Sequence, residues 1–134
     1  MDQQKPSSRM EPTIVTYPAG LYWSAVLLAL VSAAIHIFFG VFVYTGVNMI
    51  PMLGIATVYL VGVALVTLNI RRGLWLKIGT GWAAILVVLW AAAAFFGKAP
   101  HTTDSLAYLV NAIEVVLFIV LLAIPRYSRI QTTT

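Results

Sequence analysis

No cysteine occurs among the 134 residues, which excludes disulfides, thiolate metal centres, iron–sulfur clusters and a thiol nucleophile. Charge is nearly as scarce. Only 9% of the residues are Asp, Glu, Lys or Arg, against roughly 25% in soluble domains, so the chain lacks the polar surface needed to stay in water. Four residues are acidic, and one of them, Glu114, lies inside an apolar run. No nucleotide-binding loop, nucleophile triad, zinc-binding helix or redox motif is present, nor any internal repeat. What is abundant is apolar text: 61% of residues are hydrophobic and the mean hydropathy is +0.96. The formal net charge of +4 is carried by small basic groups set between apolar runs. That spacing belongs to membrane orientation and not to a phosphate-binding face, so nucleic acid is not an expected partner.

The runs divide the chain. Residues 1–20 are polar and broken by Pro6, Pro12 and Pro18, which disfavour a helix and read as a cytoplasmic arm. Four transmembrane spans are expected at 21–45, 51–70, 74–97 and 103–125 within a bundle of residues 21–125, followed by a basic tail at 126–134. The first run is longer than the ~7–15 residues of a signal-peptide core, so it is expected to be retained. Residues 21–44 make a helix of roughly 36 Å, enough to cross a ~30 Å hydrocarbon core with some tilt. Pro51 suits a first helical turn. Thr102, Thr103 or Asp104 can cap the fourth span, and Pro125 is expected to end it.

Orientation follows from the basic residues. Lys5, Arg9, Arg71, Arg72, Lys77, Arg126 and Arg129 fall on one side of the bilayer and Lys98 alone on the other. The positive-inside rule then places both termini in the cytoplasm of a multi-pass protein of the cell membrane. Arg71, Arg72, Lys77, Arg126 and Arg129 are thus topology residues that can also touch anionic lipid headgroups. Short hairpins make sequential helices antiparallel neighbours, so the expected fold is an all-α, up-down-up-down four-helix transmembrane bundle. Ala29, Ser32, Ala33 and Gly40 on the first helix, and Gly79 and Ala83 on the third, form small-residue faces that permit close helix packing in lipid.

Two intramembrane residues stand out. An ionised Glu114 near a span centre costs roughly 2.5–3.5 kcal/mol on insertion scales, and neither span length nor packing requires it. His36 lies on the small-residue face of the first span, about 12 Å below the outer boundary, and Glu114 lies about 15 Å below the same boundary. Similar depth predicts that helices one and four are neighbours and that His36 and Glu114 pair, with Asn111 one turn outward. This polar cluster has three readings: a device that fixes helix register, a polar contact for a partner subunit, or a proton or cation site. No metal is expected, because the cluster offers few ligands. The other histidine, His101, sits more than a dozen Å from His36 by the same depths, so the two cannot ligate one haem. No resident cofactor is implied; lipid is the expected contact, with haem and quinone disfavoured.

In size and span count the chain resembles the small multidrug resistance exporters, but those carry their glutamate in the first helix, where this chain has His36. It more closely resembles a group of uncharacterised small four-helix membrane proteins from archaea. The matching stretches are IHIFFGV (35–41), NIRRGLWLKIG (69–79), the surroundings of Trp90, and IEVVLFIVLL (113–122). This resemblance implies the four-helix fold and carries no activity.

The absence of catalytic motifs, with almost no mass outside the membrane, leads to the first functional expectation. It is a non-catalytic accessory subunit of a larger integral-membrane complex, such as an oxidase, a monooxygenase or another respiratory-type assembly. The alternative is a self-assembling small transporter or proton or cation carrier that uses Glu114. The third is a quinone- or haem-associated electron-transfer subunit. Expected partners are the bilayer, other integral-membrane subunits or copies of the chain itself.

Overall fold

The computed structural model describes residues 13–97 and 105–132. The arm at 1–12, the Lys98–Asp104 turn with His101 and its candidate caps, and residues 133–134 lie outside the described residues. Four helices dominate: α1 (Ala19–Phe38), α2 (Met49–Thr67), α3 (Arg72–Phe96) and α4 (Ser105–Tyr127). Extended by the short turns that adjoin α1 and α2, all four are long and apolar enough to cross a membrane. Their order is a closed ring, because α4 packs on α1 as extensively as α1 packs on α2. The contact between α2 and α3 is the thinnest of the four.

Chain direction alternates around the ring. One half of the interior is lined by Tyr22 of α1, Val66 of α2, Trp75 of α3 and Leu121 of α4. The other half is lined by His36, Met52, Trp90 and Ala107. Each half therefore collects alternating helix starts and ends, as four antiparallel helices require.

The buried stripe of α1 is Tyr22, Ala25, Ala29, Ser32, Ala33 and His36, a helical spacing of three and four that faces one direction. On α4 the stripe is Ala107, Val110, Asn111, Glu114, Leu117, Leu121 and Ile124. Small residues on α1 and larger ones on α4 interdigitate, and Ala33, Leu117 and Ile124 are almost wholly enclosed. The bulky Leu27, Phe38, Phe42, Val61, Val88 and Ile119 point outward, where lipid tails would take the place of water. Threonine hydroxyls on the spans are satisfied within their own helices. Thr57 Oγ1 donates to the Leu53 carbonyl and Thr80 Oγ1 to the Leu76 carbonyl, each at 2.8 Å, which suits a solvent that offers no partners.

The helix ends show how the sequence punctuates the fold. α1 runs on through a π-helical turn at Phe39–Val43, closed by Tyr44 N–H on the Phe39 carbonyl at 2.8 Å. Pro51 sits in the first turn of α2, as expected. The second hairpin places Asn69 at φ 60° and Arg71 at φ 47°, both left-handed. Arg72 does more than carry charge: its Nε donates to the Val66 carbonyl at 3.1 Å and its guanidinium lies 5.0 Å from the Tyr22 ring centroid. The Tyr22 hydroxyl donates to the same carbonyl at 3.2 Å.

Two boundaries differ from the sequence expectation. Pro125 does not end the fourth helix, which continues to Tyr127. A proline lacks the N–H that would bond the carbonyl four residues back, here that of Leu121, and the helix nevertheless runs on to an end where the Ser128 hydroxyl donates to the Ile124 carbonyl at 2.7 Å. The flanking segments, read as a simple arm and tail, instead pair with each other. β1 (Thr13–Thr16) and β2 (Arg129–Thr132) form an antiparallel two-stranded ribbon that brings the N-terminal and C-terminal flanks of the bundle together. Arg129 belongs to that ribbon, next to Thr16 in register.

Among the glycines of the bundle Gly40 is the most tightly seated. A Cβ at this position would lie 2.9 Å from Leu53 Cδ2 and 3.3 Å from Met52 Cβ, whereas one at Gly62 would meet nothing within 4 Å. Gly40→Ala is therefore expected to cost about 1–3 kcal/mol by overpacking, and Gly62→Ala no more than about 0.5 kcal/mol. Thermal unfolding of both variants in one detergent checks the ranking, which the reverse order would contradict.

Candidate functional site

The polar centre is built from α1, α2 and α4. Ser32 and His36 are one turn apart on the buried stripe of α1, so their side chains leave the helix on the same face. Glu114 projects from the matching stripe of α4, and Tyr59 reaches in from the middle of α2. Glu114 is 2% exposed, and Ser32, His36 and Tyr59 are also buried.

Three groups converge on a single carboxylate oxygen. Ser32 Oγ donates to Glu114 Oε1 at 3.2 Å, and the Tyr59 hydroxyl donates to the same atom at 3.2 Å. His36 Nε2 stands 3.7 Å from it. The imidazole is oriented from its far side: Nδ1 lies 2.9 Å from the Ser32 carbonyl oxygen. A carbonyl only accepts, so Nδ1 carries a hydrogen, and Nε2 is the nitrogen turned to the carboxylate. Ser32 thus contributes twice, its carbonyl setting the ring and its hydroxyl holding the acid. No hydrogen bond engages Glu114 Oε2 among the described residues.

His36 and Glu114, brought together on sequence grounds by depth alone, do meet. Asn111 takes a different place. Its Nδ2 donates to the Ala107 carbonyl of its own helix at 2.7 Å, and it makes no hydrogen bond to Glu114 among the described residues. It lines the same cavity as Glu114 and His36, a space of about 240 Å³ that reaches from these residues past Phe39 and Trp90 to Tyr44. The small residues beside the site do not all act alike. Ala29, Ser32, Ala33 and Ala83 are buried, whereas a Cβ on Gly79 would make an ordinary 3.7 Å contact with Leu121.

Two members of the site, Ser32 and Tyr59, are not part of the polar cluster expected from the sequence. Ser32 carried a signal, being one turn before His36 on the same face. Tyr59 carried another: a phenol eleven residues into a nineteen-residue helix is too deep for an interfacial anchor. Trp82 has its Nε1 enclosed without a hydrogen-bond partner among the described residues. His101, weighed as a haem ligand, lies outside the described residues. No group of three or more His, Cys, Asp or Glu side chains assembles among the described residues.

Ser32 and Tyr59 should be energetically coupled to the carboxylate. Ser32→Ala and Tyr59→Phe are each expected to destabilise the parent bundle by about 1–3 kcal/mol and to cost distinctly less in a Glu114→Gln background. A double-mutant cycle on unfolding in detergent should give a coupling of about 0.5–3 kcal/mol for each pair. Strict additivity would show that these contacts hold nothing. Comparisons of the chain with protein-family models, with curated proteins and with solved structures gave no match, so the reading of this site rests on its own geometry.

Proposed function

We propose that the chain is a small carrier of the cell membrane, with both termini in the cytoplasm, whose bundle binds and releases a proton or cation at the His36–Glu114 pair. The supporting observation is the divided carboxylate. Oε1 accepts from Ser32 and Tyr59 and faces His36 Nε2, while Oε2 is left without a hydrogen-bond partner among the described residues, on a side chain that borders the 240 Å³ cavity.

This arrangement leaves two places for an exchangeable proton. With Nδ1 committed to the Ser32 carbonyl, a bare Nε2 opposite a bare carboxylate would set lone pair against lone pair. One proton on Nε2 resolves this as an ion pair with Oε1; a proton on Oε2 beside the cavity instead removes the charge of the carboxylate without bridging it to the imidazole. The titratable groups facing the pair are few. Tyr59 comes from α2, and Tyr44, just beyond α1, lines the far part of the cavity. α3 contributes Leu86, Leu89 and Trp90, none of which titrates. A register-fixing contact needs only the satisfied oxygen; the unsatisfied one beside a cavity is what favours a working site.

In proteoliposomes the parent chain is expected to dissipate an imposed pH gradient, and Glu114→Gln to abolish that flux while the purified variant keeps its fold and assembly state. Flux that survives Glu114→Gln, or a parent with none, would remove the carrier reading.

A second reading, an accessory subunit of a larger membrane complex, is favoured by uneven burial. Only 17% and 11% of the spans built on α2 and α3 are buried, against 39% for those built on α1 and α4. The α2–α3 side is therefore the one with room for another chain. Native purification in mild detergent separates the readings. Comigration with larger membrane subunits supports the second, and migration alone or with copies of itself counts against it.

A further inference from the structure

The cavity beside Glu114 has a definite chemistry as well as a size. At about 240 Å³ it exceeds the ~150 Å³ apolar cavity known to admit benzene, so in proportion it takes a molecule of about ten non-hydrogen atoms. Its walls are aromatic and aliphatic: Phe39, Tyr44, Trp90 and Leu86 surround the space. At the polar end stands Glu114, with Oε2 unused, and beside it Asn111, whose amide oxygen has no hydrogen-bond partner among the described residues. Among the described residues no Lys or Arg lines it.

Each feature excludes a ligand class. An anion would meet a carboxylate, and no Lys or Arg among the described residues is there to offset it. A bare metal ion would find too few oxygens, since hard cations take six or more. A purely apolar guest would leave Oε2 and the Asn111 oxygen facing hydrocarbon, a costly arrangement for buried acceptors. An organic cation satisfies both parts, with N–H donors for the two acceptors and an apolar body against rings whose faces attract positive charge.

We propose that this cavity is a binding site for a small lipophilic amine, its ammonium hydrogens on Glu114 Oε2 and the Asn111 amide oxygen and its apolar body among Phe39, Tyr44 and Trp90. The proposal deepens the carrier reading by naming its substrate class, because an ammonium and a proton would compete for one carboxylate. Binding itself does not depend on transport.

The test uses the parent chain in lipid nanodiscs, with 2-phenylethylamine as probe and 2-phenylethanol as its uncharged counterpart, heats of binding being corrected with empty nanodiscs. The amine is expected to bind saturably and at least tenfold more tightly than the alcohol. Glu114→Gln is expected to weaken it at least tenfold, as is Ala93→Leu, which fills the cavity wall without touching the carboxylate. A cooperative thermal unfolding transition and an unaltered assembly state verify that each variant is folded, and the amine–alcohol comparison needs no variant. Equal binding of amine and alcohol, no saturable binding, or full affinity in Glu114→Gln overturns the site and leaves a cavity filled by water. Amine binding without amine-driven proton movement in liposomes would remove the carrier reading and leave the site standing. Proton flux with no amine binding would do the reverse.

Discussion

A carboxylate placed among four apolar helices has no water to fall back on, so its oxygens must find donors within the protein or remain costly. In this chain one oxygen of Glu114 draws a hydroxyl from α1, a phenol from α2 and an imidazole from α1 to within 3.7 Å. That convergence links three of the four helices at one depth. Sliding α1 or α2 by a single residue, about 1.5 Å along the axis and 100° around it, would carry the donors away. The polar centre therefore selects one register from the many that featureless apolar stripes would accept.

The fourth helix of the ring stands apart from this linkage. Among the described residues no α3 side chain hydrogen-bonds to Glu114; α3 closes the bundle through Leu76, Ala83 and Leu86, mainly against α4. Its residues form the apolar wall of the cavity, opposite the acid. The consequence is an asymmetric interior: hydrogen-bonded on the α1–α2–α4 side, dispersion-packed on the α3 side. A cavity persists where these two kinds of packing meet, because side chains held by directional bonds cannot relax into the space left by Ala93 and Ala107.

The sequence made some of this legible and hid the rest, for reasons that can be stated residue by residue. Span number and order follow from hydropathy and length, quantities that average over about twenty residues and tolerate local error. The approach of His36 and Glu114 was also legible, since two antiparallel rods of known rise bring residues of equal depth level with each other. Which side chains complete the site was not. Depth does not fix rotation, and Asn111 is only three residues from Glu114, yet its amide donates back to the i−4 carbonyl of Ala107, a local partner that a polar side chain on a helix can always reach. Tyr59 was hidden because its orientation depends on how α2 leans on α1, a tertiary fact set partly by the close approach at Gly40. The β1–β2 ribbon was hidden by its shortness: four residues on each side carry no period strong enough to announce a strand.

The two ends of the bundle are secured by different means, and this bears on where the site lies. At the end where α1 begins, the Val66 carbonyl takes hydrogen bonds from both Tyr22 and Arg72, and the ribbon ties the flanking chain together. At the opposite end α1 loosens into a π-helical turn, a feature often found near functional sites. There, among the described residues, Gly40 is seated closely against Leu53. Directional bonds resist separation in all directions, whereas a steric seat resists only closer approach. The polar centre lies between these ends, with its cavity on the side of the π-helical turn. On the proposed carrier reading, a carboxylate that exchanges what it binds would be held from behind by the hydrogen bonds of Ser32 and Tyr59 and reached through the cavity on its other side.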